Sequence, residues 1–106
     1  MKEDLILSER AGVLSAAIMC DIDHHTAKPI REQIDRMLFE RKPKVLVLDF
    51  SAVGFMDSSG LGLIIGRSEK AYAVGAEIWV EGLSAPLMKL VRLSGIEKIK
   101  NISLRK

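Results

Sequence analysis

Val45-Leu46-Val47-Leu48-Asp49-Phe50-Ser51-Ala52-Val53-Gly54-Phe55-Met56-Asp57-Ser58-Ser59-Gly60-Leu61-Gly62 carries the chain from a strand pattern into a helix pattern. Its first six residues are a near-continuous apolar run rich in strand formers, as expected of a central strand buried on both faces. Ser51 to Asp57 reads as a loop. Beyond it Leu61, Ile64, Ile65 and Ser68 fall on one helical face, continuing to about Val74-Gly75, where glycine can end the helix. Small polar residues therefore stand at a helix N-terminus. Side-chain oxygens of Asp57, Ser58 or Ser59 can cap the free amides of the first turn, and those amides with the helix dipole favour an added anion. On these residues alone Ser58 reads either as a helix cap, the simpler reading, or as a phosphorylation switch.

Working outward, Leu5 to Arg10 and Val13 to Met19 read as two short strands around Ala11-Gly12, an antiparallel hairpin. From Thr26 the spacing turns helical, with Ile30, Ile34, Met37 and Leu38 on one face and Pro29 tolerable only near the start. Glu77 to Glu81 is a further strand. Ser84-Ala85-Pro86 starts a helix with Leu87, Leu90 and Val91 on one face, Ser94-Gly95 closes it, and Ile99 to Leu104 gives a last weak strand. The order ββαβαβαβ predicts an α/β fold: one domain over 1–106, a mixed sheet with an N-terminal antiparallel hairpin and helices packed on it.

Composition narrows the function. Apolar residues make up 48% of the 106 and aromatics only 5%, so the core is expected to be aliphatic. A net charge of +2 with scattered aromatics argues against nucleic-acid binding, despite the basic bias of Arg92, Lys98, Lys100, Arg105 and Lys106. Cys20 is the sole cysteine, which rules out an intramolecular disulfide and fits a reducing compartment. Met1-Lys2-Glu3-Asp4 opens no apolar leader and no run approaches the length of a membrane span, so the expectation is a cytoplasmic protein without a membrane partner.

Several chemical readings fail on spacing. Gly60-Leu61-Gly62 with Gly66 and Glu81 suggests a dinucleotide site, but Ile65 stands where the third glycine belongs and the preceding loop is too long. Close helix-to-sheet packing at Gly62 and Gly66 is the simpler expectation. Asp21, Asp23, His24 and His25 are metal-ligand types, yet one short loop rarely brings four neighbours onto one centre, so no metal is expected. A polar turn capped by Asp23 or Thr26 accounts for them, and the two carboxylates and two imidazoles can form an interaction surface. Ser58 lacks the glycine two residues before it that a hydrolase elbow needs. Asp49 lacks the early paired acids of a phosphoacceptor site and reads as a loop cap.

Asp23-His24-His25-Thr26-Ala27, Val45 to Asp49, Phe55 to Gly62 and Leu93-Ser94-Gly95-Ile96 together resemble the anti-sigma factor antagonists of the STAS domain family, closest to the sporulation type. The resemblance implies a regulatory switch with no cofactor and no catalysis of its own. It implies that the unphosphorylated form binds an anti-sigma factor that is also a serine kinase, and so releases a sigma factor. The kinase would phosphorylate Ser58, and a metal-dependent serine phosphatase would reverse the change. The implied partner surface joins Asp21, Asp23 and His24 to Met56, Asp57, Ser58, Ser59, Gly60, Leu61 and Gly62. Cys20 stands where the family commonly has glycine, and little follows Leu104 where many members carry a C-terminal helix. The alternatives are a STAS module of a stress-signalling cascade and a small nucleotide-binding α/β domain.

Overall fold

β1 (Leu5–Arg10) and β2 (Val13–Ile18) form the expected hairpin, turned by Ala11 and Gly12 at φ of 52° and 82°. Two consecutive positive φ values suit the twist of a tight hairpin, and alanine holds the first at a steric cost of about 1 kcal/mol. The computed structural model describes residues 3–105. Met1, Lys2 and Lys106, which entered the leader and charge readings, lie outside them. After the hairpin come α1 (His24–Arg41), β3 (Val45–Asp49), α2 (Ser58–Ala73), β4 (Glu77–Glu81), α3 (Ala85–Ser94), a 3₁₀ turn (Ile96–Lys98) and β5 (Ile102–Leu104). The helix–strand order is the one the sequence predicts.

The sheet runs β1-β2-β3-β4-β5, antiparallel in the hairpin and parallel from β2 onward. Its register aligns Leu14, Leu46, Ile78 and Ile102 in one row and Ala16, Leu48, Val80 and Leu104 in the next. All but Leu104 are buried. Ile30, Ile34 and Leu38 of α1 and Ile64 of α2 join them in one core, where each large aliphatic side chain contributes about 1.5–3 kcal/mol relative to leaving it in water. The alternate residues Val13, Ser15, Ala17, Val45, Trp79 and Ser103 are only partly covered, and Arg105 stacks its guanidinium 3.9 Å from the Trp79 ring. Val47 is buried on that side too, so β3 is the strand most fully enclosed, as its apolar run requires.

Four expectations change. Phe50 is fully buried, so the core is not purely aliphatic; its N–H donates to Glu81 O and carries it inward past the end of β3. The inner face of α2 is Gly60, Leu63, Ile64, Arg67, Ser68 and Ala71, not one shared by Leu61 and Ile65; Leu61 is half-buried and Ile65 38% exposed. Spacing identifies a helix but leaves its phase to tertiary contacts. α1 begins two residues before Thr26, because Asp23 caps it there. At Gly62 and Gly66 an added Cβ would meet nothing within 4 Å, so neither glycine serves close packing.

Candidate partner-binding site

Two helix N-termini lie side by side at one end of the sheet. Ile22, at the end of the β2–α1 loop, forms an isolated parallel bridge with Met56, at the end of the β3–α2 loop. Ile22 N–H donates to Phe55 O at 3.0 Å and Asp57 N–H to Ile22 O at 3.2 Å. One residue past the bridge on each strand stands an aspartate at an N-cap, Asp23 for α1 and Asp57 for α2. The next residue on each side is the first of its helix, His24 and Ser58, and both are exposed.

Asp23 Oδ1 accepts from His25 N at 2.8 Å and Thr26 N at 2.9 Å, and Thr26 Oγ1 accepts from Asp23 N at 3.0 Å. This is a complete capping box with threonine in the returning role. The Thr26 and His25 amides hold the Asp23 carboxyl below the usual carboxylate range, since both favour its charged form. Asp57 Oδ1 accepts from Ser59 N at 2.7 Å. The Gly60 amide turns to Asp57 O at 2.9 Å, and Gly60 has no side chain to return a bond. Gly60 is fixed by packing: a Cβ there would lie 2.9 Å from Met56 Cβ and Cγ, and Met56 is buried.

Asp21 sits on the opposite side of the bridge. Its Oδ1 accepts from Gly54 N and Phe55 N, each at 3.1 Å. Asp49 Oδ1 takes Ser51 N at 2.9 Å and Ser51 Oγ at 2.6 Å, the loop-capping role its position suggested. Between them these carboxylates fasten both ends of the β3–α2 loop. Cys20, in the same region, is half-buried; burial and the charges of Asp4 and Asp21 push its thiol up, which keeps it protonated and a poor nucleophile.

Sequence reasoning brought together Asp21, Asp23, His24, Met56, Asp57, Ser58, Ser59, Gly60, Leu61 and Gly62, and their elements do meet at this end. They separate by role. Met56 and Gly60 are buried, Asp21, His24, Ser58 and Gly62 are exposed, and Asp23, Asp57, Ser59 and Leu61 lie between. A groove of about 210 Å³ between α1 and α2 is lined by His24, Ala27, Arg31, Ser59, Gly62 and Leu63. Arg31 was missed, although its spacing from His24 and Ala27 puts all three on one stripe of α1. Deeper between the helices, Arg67 Nε lies 2.7 Å from Asp35 Oδ1. The Arg67 guanidinium is buried and neither Nε nor Nη1 makes an aligned hydrogen bond, so the contact is one of charge. Burial pushes Arg67 down from its ordinary value, with Asp35 opposing the shift.

Among the described residues no group of three or more His, Cys, Asp or Glu side chains is arranged to hold a metal ion; His24 and His25 instead lie ring to ring, 4.0 Å between centroids. No described helix is long and apolar enough to cross a membrane. Gly60, Gly62 and Gly66 all lie within α2 and form no glycine loop ahead of the helix, and Gly60 packs on Met56.

The STAS domain family matches residues 5–105. The chain is 34% identical over 102 residues to the anti-sigma F factor antagonist of Paenibacillus polymyxa, covering 96% of this chain and 87% of that one. The chain belongs to the STAS domain family, among its anti-sigma factor antagonists. Two solved structures share the fold of this STAS domain. The anti-sigma factor antagonist SpoIIAA in its unphosphorylated form superposes with a TM-score of 0.81 at 24% identity, covering 96% of this chain and 88% of that one. The Bacillus cell-fate determinant SpoIIAA in its phosphorylated form gives 0.74 at 24% identity, covering 96% and 91%.

Proposed function

We propose that this STAS domain, in its unphosphorylated form, binds an anti-sigma factor that is also a serine kinase and thereby frees the sigma factor held by it. Phosphorylation of Ser58 ends the binding, and a serine phosphatase restores it. The observation that carries the reading is the placement of Ser58: it is the first residue of α2, exposed, and among the described residues its hydroxyl makes no hydrogen bond. Ser59 beside it is half-buried in the α1–α2 groove, a poorer acceptor. The domain acts as substrate and binding partner; catalysis belongs to the kinase and the phosphatase.

In the transfer step Ser58 Oγ forms a bond to the γ-phosphorus of ATP, the bond from that phosphorus to the bridging oxygen breaks, and ADP leaves. The hydroxyl proton passes to a base on the kinase. Hydrolysis by the phosphatase returns the hydroxyl and releases inorganic phosphate. The added charge of nearly −2 sits at a helix N-terminus, where the dipole contributes about 0.3–1 kcal/mol, so the fold tolerates it. A docked surface does not. Next to Asp23 and Asp57 the phosphate adds repulsion and desolvation, and about 2.8 kcal/mol already amounts to a hundredfold loss of affinity.

The test is a binding titration of two variants against an anti-sigma factor kinase from the same genome. Ser58→Ala is expected to bind like the parent chain and accept no phosphate. Ser58→Asp is expected to melt normally and bind at least a hundredfold more weakly. Equal affinities for the two variants would contradict the reading.

A further inference from the structure

We propose that Asp21 is a positioning residue for the Ser58 switch, an internal hydrogen-bond acceptor that holds the β3–α2 loop and not a charge read by the partner. The inference rests on Ser58 being the phosphoacceptor. It begins from two consecutive amides, Gly54 and Phe55, both directed at the single atom Asp21 Oδ1 at 3.1 Å. Loop amides without a ladder partner need some acceptor, and here a side chain 33 and 34 residues away supplies it. A Cβ on residue 54 would lie 3.4 Å from the same oxygen, at the edge of ordinary contact, so glycine gives the carboxylate its easiest approach.

The consequence runs forward along the chain. Phe55 is held at both ends of its residue, its N–H by Asp21 and its C=O by the Ile22 amide at 3.0 Å. Met56 follows in the bridge to Ile22, Asp57 N–H reaches Ile22 O, and α2 starts at Ser58. Asp21 and Ile22 thus bind a continuous run from Gly54 to Asp57. Phe55, 59% exposed, lies in this fastened run, and Ser58, also exposed, follows it directly. At α1 the cap amide is satisfied from within, by Thr26 Oγ1; at α2 it is satisfied only across the loop. The start of α2 therefore depends on the β2–α1 loop. Loss of the Asp21 bonds would leave Ser58 attached to a looser segment, and misplacing a reacting group by an ångström is enough to cost about a hundredfold in rate.

Asparagine separates the two roles, because it keeps the Oδ1 acceptor and removes the charge. For Asp21→Asn the kinase reaction at Ser58 is expected to keep kcat/KM within about threefold of the parent, whereas Asp21→Ala is expected to lose tenfold or more, mainly in kcat. Amide hydrogen exchange at Gly54 and Phe55 is expected to stay slow in Asp21→Asn and to speed at least tenfold in Asp21→Ala. If Asp21→Asn falls as far as Asp21→Ala, the partner reads the charge and the proposal is overturned; an Asp21→Ala that behaves like the parent overturns it as well. Should Asp21→Ala fail to fold, Asp21→Ser, one atom too short to reach, takes its place in the comparison. If the parent chain takes no phosphate on Ser58, the Ser58 reading fails on its own, and the exchange rates at Gly54 and Phe55 still decide whether Asp21 holds the loop.

Discussion

The starts of α1 and α2 share one plan and differ in how they are closed. Each has a buried apolar residue in the bridge, Ile22 or Met56, then an N-cap aspartate, then an exposed polar residue, His24 or Ser58. The α1 start is finished by its own residues, with Thr26 returning a bond to the Asp23 amide at 3.0 Å. At α2 Gly60 occupies the place of Thr26, and the Asp57 amide goes to Ile22 O at 3.2 Å. A self-contained cap satisfies its own helix start without a neighbouring loop. A cap completed by a neighbouring loop ties the position of its helix's first residue to that neighbour.

The third helical position tests this contrast most strongly. Gly60→Ala drives a methyl group against Met56 Cβ and Cγ, 2.9 Å away, and is expected to destabilise the domain by about 1–3 kcal/mol in chemical denaturation. Thr26→Ala, the equivalent change in α1, removes the returning bond to the Asp23 amide and the bond that the hydroxyl donates to Asp21 O at 3.0 Å, without a clash, and is expected to cost about 1 kcal/mol. A Gly60→Ala chain as stable as the parent would show that Met56 yields and that the two starts are interchangeable.

Two residues further on, on the opposite, exposed side of α2, Gly62 gives a smaller effect of the opposite sign. Nothing lies within 4 Å of an added Cβ, so Gly62→Ala is expected to stabilise the domain by about 0.5–1 kcal/mol through helix propensity. The same methyl enters the groove wall beside Ser59 and His24, so affinity for the kinase is expected to fall while stability rises. Stability and affinity rising together would remove Gly62 from the partner surface. Gly66, equally open, serves as the control.

The smallest effect is one of pH. The Asp23 carboxyl is held below the usual carboxylate range in the fold, so its contribution is present above its unfolded value and is lost as pH falls through the folded value. The stability gap between the parent and Asp23→Asn is therefore expected to narrow below about pH 4. A gap that stays constant into stronger acid would mean that the Thr26 and His25 amides do not favour the charged form.

Much of this was legible in the chain. The apolar run Val45 to Phe50 announced the central strand, Ala11-Gly12 the hairpin turn, Ser84 and Gly95 the two ends of α3, and Asp57-Ser58 the start of α2. These signals are local. The phase of α2 was not legible, because Leu61 and Ile65 are as apolar as Leu63 and Ile64 and only packing chooses between them. Nor was Arg67, a charged residue whose burial depends on Asp35 of the other helix. The Asp21 bonds span 33 and 34 residues, a separation at which no pattern within one element can report them. The candidate site was thus readable as a set of residues, while the division between those that fasten it and those that face outward required the fold.

The central claim is that Ser58, and not its neighbour, receives the phosphate. Incubation of the chain with its anti-sigma kinase and ATP, followed by site-resolved mass spectrometry, tests it directly. One phosphate on Ser58, absent from Ser58→Ala, is the predicted result. Phosphate on Ser59 or elsewhere, or none at all, would contradict it.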